Sequence, residues 1–366
     1  MASIAHLTSA HPRYDTRIFT KQCRSMAEQG HRVALVVADS RGDEWNDDIQ
    51  ILDVGRPDGR IERIFINSRK VFERAIQVNA EIYILHDPEL IPYGIRLKGI
   101  GKKVVFDSHE DVPTQILGKP YLGRIPAKLL SRSFQAYEQY ACRRFNGIVA
   151  ATPFIREKFI KINAKTIDIN NFPILDEFDH ARHWSDKPFE VCYVGNITAM
   201  RGIRELVRAC GLLRTPATLT LAGAFETSAL AAEVSIHAGW RRVKALGHLG
   251  RSGVRDVMAN SLAGLVTLHP QKNYIDALPV KMFEYMAAGI PVIASNFPLW
   301  RDIVESNACG LCVDPLDPAS IAKAIDFLVT HPHEAQKMGS NGRCAAMEKY
   351  NWRSESKKML DFYEDL

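Results

Sequence analysis

The sequence predicts an α/β protein made of two doubly wound, parallel-sheet domains, and three observations lead there. The chain has 366 residues, more than one hydrophobic core usually serves, so two domains of roughly 150–190 residues are expected. Short apolar runs rich in β-branched residues alternate with longer stretches of helical period, the mark of parallel sheets covered by helices. This alternation runs through the chain twice, interrupted by the Pro- and Asp-bearing stretch 172–188. The expected organisation is a Rossmann-like domain over 1–175, a linker over 176–189, a second Rossmann-like domain over 190–345, and a helical tail over 346–366. That tail reads either as a terminal core helix or as a segment crossing back to the first domain.

In the first domain, residues 3–7, 32–37, 82–85, 103–106 and 147–150 read as buried strands, with helices at 18–29 and 90–98 between them. Gly30 stands where a helix C-terminus favours glycine. In the second, strands are expected at 190–194, 218–222, 243–246, 264–267, 291–294 and 310–313, with helices at 203–213, 252–259, 280–288 and 318–329. Ligands of open α/β sheets bind beyond the carboxyl ends of the strands, so two such domains facing a central cleft would place the active site there.

Composition narrows the class further. The apolar fraction of 46% and charged fraction of 24% are those of an ordinary globular chain. No run of about 18 apolar residues occurs, and the N-terminal ten residues lack a basic start and a long apolar core, so a cytoplasmic protein is expected. Seven cysteines, among them Cys192, Cys210 and Cys344 in apolar runs, read as buried free thiols rather than a disulfide framework. Cys309-Gly-Leu-Cys312 has redox spacing but precedes a strand, with no helix starting after its first cysteine. The formal net charge is +5, and its distribution is uneven. Between Lys119 and Lys165 ten Lys/Arg face only Glu138 and Glu157, a local balance of +8. Tyr121, Leu122, Ile125, Leu129, Leu130 and Phe134 are interleaved with Lys128 and Arg132 there. The stretch reads either as an amphipathic helix docking on anionic lipid at the inner face of the plasma membrane, or as a helix with its apolar residues packed inward. Nucleic acid is not expected, because no nucleic-acid module accompanies the charge.

The strongest chemical signal is Asp276-Ala-Leu-Pro-Val-Lys-Met-Phe-Glu284-Tyr-Met-Ala-Ala-Gly289. A loop holding Asp276, Ala277 and Leu278 opens a helix that carries Val280, Lys281 and Glu284 and closes at Gly289. Free N–H groups at that helix start suit a diphosphate, Lys281 adds positive charge, and a carboxylate one turn further in suits a ribose diol. A second element, Tyr193-Val-Gly195-Asn196-Ile-Thr-Ala-Met-Arg201-Gly202, links a strand to a helix. Gly195 permits close backbone approach, and Arg201 can pair with phosphate oxygens.

These two elements resemble the donor site of glycosyltransferase family 4, whose signature is Glu, seven residues, Glu. Asp276 stands where relatives have the first Glu, and Glu284 is the second; Arg201 stands where they commonly have Lys. The resemblance implies the GT-B fold and a retaining, metal-independent transfer from a nucleotide diphosphate sugar, UDP-linked in preference to GDP-linked. The acceptor would be a glycan or a lipid-linked glycan of bacterial-type cell-surface polysaccharide synthesis. Glu284 would hold the ribose and Asp276 would lie nearer the donor sugar. Gly247-His248-Leu249-Gly250 would pass over the base, with His248 structural rather than catalytic, and His269 would form a wall of the donor pocket. Asp107-Ser-His109-Glu110 resembles the family's Asp-x-His-Glu/Asp segment, which puts His109 nearest the reacting sugar. Its alternative is a histidine satisfied by Asp107 or Asp111.

Two more clusters are less specific. Asp87, in His86-Asp87-Pro88, reads equally as a group orienting His109 or the acceptor and as a helix N-cap. Arg13 and Asp15 follow the first strand and are candidates for substrate contact, with Asp15 also a candidate cap. No acidic pair has a convincing metal spacing, so no metal or cofactor is expected. A GT-B nucleotide-sugar epimerase, a phosphorylase and a non-catalytic sugar-nucleotide-binding subunit are the rival readings. A nicotinamide oxidoreductase is disfavoured because no G-x-G-x-x-G follows the first strand.

Overall fold

The apolar runs of the first half become a single sheet in the computed structural model, which describes residues 1–118, 122–178 and 183–366. Lys119, Tyr121 and residues 179–182 of the expected linker lie outside the described residues. The strands are β1 (Ser3–Leu7), β2 (Arg32–Val37), β3 (Glu44–Asn46), β4 (Ile49–Asp53), β5 (Ile82–Leu85), β6 (Lys103–Ser108), β7 (Gly147–Ala150) and β8 (Thr166–Asp168). Their order is β3-β4-β2-β1-β5-β6-β7-β8, parallel throughout except for the β3–β4 hairpin at one edge. That hairpin, and β8, are absent from the sequence reading. Three-residue strands are too short for a period, and β3 is largely polar.

The second unit holds β9 (Glu190–Val194), β10 (Thr218–Ala222), β11 (Val243–Ala245), β12 (Ala263–Val266), β13 (Val292–Ser295) and β14 (Gly310–Val313). They form an all-parallel sheet in the order β11-β10-β9-β12-β13-β14. Along β9, Val191 and Tyr193 enter one core while Cys192 and Val194 enter another. Both faces are covered, which is why the strands read as continuous apolar runs rather than alternating ones.

One unit comprises Met1–Asn171 with Glu355–Leu366, the other Phe172–Ser354. The first boundary falls a few residues before the expected 175, because Phe172 stacks edge-on against Phe283 and Tyr350 in the second unit's core. The expected single tail is two helices, Pro332–Glu348 and Trp352–Glu364, and the unit boundary falls inside the last one. Glu355 accepts from the Asn170 backbone N–H at 2.7 Å. Five cysteines are buried, but Cys344 is exposed, against expectation. Its neighbours Ala345 and Ala346 fill the inward face of the helix instead. Among the described residues, no helix is long and apolar enough to cross a membrane.

Candidate functional site

In the second sheet the strand order reverses at β9, which has β10 on one side and β12 on the other. Loops leaving the carboxyl ends of β9 and β12 therefore diverge and open a crevice, the place where doubly wound sheets bind ligands. Gly195 follows β9 with φ +112°, a backbone state that favours glycine. The helix Val280–Ala287 is seated beside it by Tyr285, whose ring lies over Gly264 of β12 so closely that any Cβ there would overlap it. The Tyr285 hydroxyl accepts from the Val194 N–H at 3.1 Å. This brings Lys281, in the first turn, against Gly195: a Cβ built on Gly195 would stand 3.2 Å from Lys281 Nζ and 3.6 Å from Arg201 Nη1.

Two cationic side chains and a Cβ-free backbone thus share one small space. The Lys281 side chain is part-exposed, but its ammonium is buried and makes no hydrogen bond among the described residues. It rests 3.8 Å from the centroid of the Tyr193 ring, whose hydroxyl donates to the Asn196 carbonyl at 2.9 Å. Burial, then the charge of Arg201, pushes the Lys281 pKa down to about 7, partly opposed by Glu284. An unsatisfied buried ammonium is costly, and an anion between Lys281 and Arg201 removes that cost. No side chain caps the helix at Pro279; the Met282 N–H bonds back to the Pro279 carbonyl at 3.0 Å, and the helix start ahead of it suits an anion.

The other donor-site candidates fall around this point with different commitments. Asp276, Ala277 and Leu278 form the loop before the helix. Ala277 is held by a 2.7 Å bond from Trp300 Nε1 to its carbonyl, and Leu278 packs on the core. Asp276, Val280 and Glu284 are part-exposed. Asn196 is exposed and contributes its backbone carbonyl, which also accepts from Arg201 at 3.4 Å. His248 is exposed in its loop. His269 is held by Glu205 at 3.0 Å, so a wall position for it carries a fixed hydrogen-bond partner. Tyr193 escaped the sequence reading because its place under Lys281 joins positions 88 apart in sequence.

In the first sheet the order reverses between β1 and β5, and here histidines converge. His6 Nδ1 lies 2.9 Å from His86 Nε2, and His86 Nδ1 lies 3.3 Å from His109 Nε2. Asp107, fully buried on β6, is 3.2 Å from both His86 Nδ1 and His109 Nε2. It also takes Arg17 through two bonds, of 2.7 and 3.2 Å, and Gln22 at 2.7 Å. Burial opposes ionisation of Asp107, yet the Arg17 charge and the histidines hold its carboxyl well below the usual range. Because Asp107 can only accept, it favours the His109 tautomer with hydrogen on Nε2, leaving Nδ1 as an acceptor. His86, Asp107 and His109 are also spaced as a metal trio would be, but Arg17 and Gln22 already occupy that carboxylate.

Three sequence candidates in this unit have partners within it, and for Asp15 the cap reading is the one found. Arg13, 1% exposed, is locked by Asp39 at 2.6 and 2.7 Å and by Glu44 at 3.0 Å; two acids upstream of the β3–β4 hairpin and on it absorb its charge. Asp15 caps the π-helical segment Thr16–Cys23 by accepting from the Arg17 and Ile18 N–H groups. Asp87 makes no helix-cap bond and is not placed on His109. It accepts from Thr8 Oγ1 at 2.8 Å and the Ser9 N–H at 2.6 Å, and pairs with His11 at 3.1 Å. His11, which the sequence gives no role, packs on the His109 ring with centroids 4.8 Å apart. Burial would lower its pKa, but Asp87 raises it.

Residues 176–344 match the family model described as Glycosyl transferases group 1, and residues 16–170 match Glycosyltransferase Family 4. The glycogen synthase of Mycobacterium tuberculosis H37Rv is 23% identical over 248 residues, 64% of this chain; the chain spans only 58% of that relative's length. Among solved structures, sucrose-phosphate synthase from Thermosynechococcus elongatus is similar with a TM-score of 0.77 at 19% identity, covering 100% of this chain and 99% of its own. Anabaena HepE, in complex with UDP and glucose, gives 0.74 at 14%, covering 100% of both chains. With two models running almost without a gap from residue 16 to residue 344, and with its two parallel-sheet units, the chain belongs to glycosyltransferase family 4 and has the GT-B fold.

Proposed function

We propose that the protein is a hexosyltransferase that retains anomeric configuration and takes its sugar from a nucleotide diphosphate donor, UDP-linked, for a glycan or lipid-linked acceptor. One observation carries the reading: the buried ammonium of Lys281, with no hydrogen bond to any described residue, stands beside Arg201 and Gly195 where a diphosphate would pair with it. When the bond from the anomeric carbon to the diphosphate oxygen breaks, charge grows on the leaving oxygens, and fixed cations stabilise it as it grows. Lys281, Arg201 and the open helix start do this without a metal. Glu284, one turn along the same helix, is positioned for the ribose diol. The UDP preference rests on HepE, a structural neighbour solved with that nucleotide.

His109 acts on the sugar. Its Nε2 is held by Asp107, so Nδ1 can accept a sugar hydroxyl. A sugar-nucleotide-binding subunit without activity remains the rival, and two variants separate them. Glu284→Ala should weaken nucleotide binding, and His109→Ala should abolish transfer while sparing it. Nucleotide release from a panel of UDP- and GDP-sugars reads transfer, and titration calorimetry with UDP and GDP reads binding. If both variants release nucleotide as the parent does, the assigned site is wrong.

A further inference from the structure

The helix Arg124–Cys142 buries Ala127, Ser131, Glu138, Ala141 and Cys142 against its own unit. One hundred degrees per residue places Ile125, Leu129, Ala136 and Tyr140 on the opposite side. They are indeed outside: Ile125 is 74% exposed, Leu129 62% and Tyr140 49%, with Leu130 at 50% beside them. The inward-packing reading holds for Phe134, which packs on the core, but not for Ile125, Leu129 and Leu130, which lie outside it. Exposed Lys128 and Arg132 border the stripe, and Arg144 lies over the Tyr140 ring at 3.6 Å. The helix has a single acid, Glu138, and it is buried against Lys158 at 2.6 Å. Its outward face carries no negative charge at all.

We propose that this face docks on an anionic lipid bilayer, with Ile125, Leu129 and Tyr140 entering the headgroup boundary and the flanking cations meeting lipid phosphates. Charge complementarity selects this occupant: a protein or nucleic-acid partner explains the cations, but a duplex has no use for an exposed aliphatic stripe, whereas an interfacial helix needs both. Lys158 is not part of the surface, being held by Glu138 and by Asp111 at 2.8 Å. The inference stands on this helix alone and does not depend on the donor site.

The test is co-sedimentation of the full chain with vesicles of phosphatidylcholine, with and without 30 mol% phosphatidylglycerol. The parent should sediment with the anionic vesicles and be released by salt. Lys128→Glu/Arg132→Glu should weaken partition by well over the roughly fivefold expected per lost cation, and Ile125→Gln/Leu129→Gln should weaken it at unchanged charge. Both pairs are exposed, so circular dichroism and melting temperature should match the parent. Failure to sediment overturns the proposal. So does sedimentation that the Ile125/Leu129 variant retains in full. Two further outcomes also overturn it: a dimer broken by Ile125→Gln/Leu129→Gln in a chain that ignores vesicles, which would mean a second copy covers the face, and charge-dependent binding to duplex DNA with none to lipid. Nucleotide release in solution is the separate readout for the donor site, and neither variant pair should alter it.

Discussion

Replacing Lys281 by methionine should make the empty protein more stable and the nucleotide complex weaker. In the unfolded chain this lysine keeps its proton up to its ordinary pKa of 10.5; in the folded chain it keeps it only up to about 7. Between those values the unfolded chain binds more protons, so stability rises with pH across that window, and the full cost of the buried charge is present below it. At 1.36 kcal/mol per pKa unit, the shift amounts to a ceiling of about 4 kcal/mol at pH 7, reduced by the contact with Tyr193. A net gain of roughly 1–2 kcal/mol would raise the melting temperature by several degrees, at about 2–4 °C per kcal/mol. Binding should move the other way. A charge-assisted bond to phosphate contributes about 1.5–3 kcal/mol, so UDP affinity should fall roughly 10- to 150-fold. The parent's affinity should also drop about tenfold per pH unit above pH 7, as the proton must be restored on binding, and this slope should vanish in Lys281→Met. Differential scanning calorimetry and isothermal titration calorimetry with UDP between pH 6 and 9 measure all three effects. A variant that melts lower than the parent and binds UDP unchanged, with the pH slope intact, would refute the account of Lys281 as a cation waiting for its anion.

Gly195→Ala places a methyl group 3.2 Å from Lys281 Nζ at φ +112°; UDP affinity should fall at least tenfold with the fold retained, as read by titration calorimetry and circular dichroism. Asp107→Asn leaves Arg17 buried without its counter-charge, which should cost about 3–5 kcal/mol in urea unfolding. The parent's Asp107 carboxyl is held well below the usual range, so its stabilising contribution is intact above pH ~4 and fades as pH falls further; the variant's unfolding should lack that acid dependence.

The candidate donor element could be put forward from the sequence because its parts are contiguous. Asp276, Lys281, Glu284, Gly289 and the strand after it lie in twenty residues, and helical geometry alone fixes how they are spaced. The strand pattern was legible for a similar reason: both faces of each sheet are covered, so the strands are unbroken apolar runs, and most of their bounds fall within a residue or two of expectation. The β3–β4 hairpin was not, since strands of three and five residues around a polar turn leave no period to read.

Where a charge goes depends on partners far apart in sequence, and only the folded chain decides that. Arg13, a sequence candidate for substrate contact, is claimed by Asp39 and Glu44, and Asp87, which the sequence reads equally as an orienting group and as a cap, is claimed by the loop after β1. The histidine cluster comes from three strand ends, at positions 6, 86 and 109, that the sheet order sets side by side. The chain by itself determined which elements form and the residue types of the donor loop, because those follow from local periodicity and turn chemistry. Tertiary structure decided which cations were neutralised and which, like Lys281, were buried with no hydrogen bond among the described residues, because desolvation and pairing are set by neighbours in space.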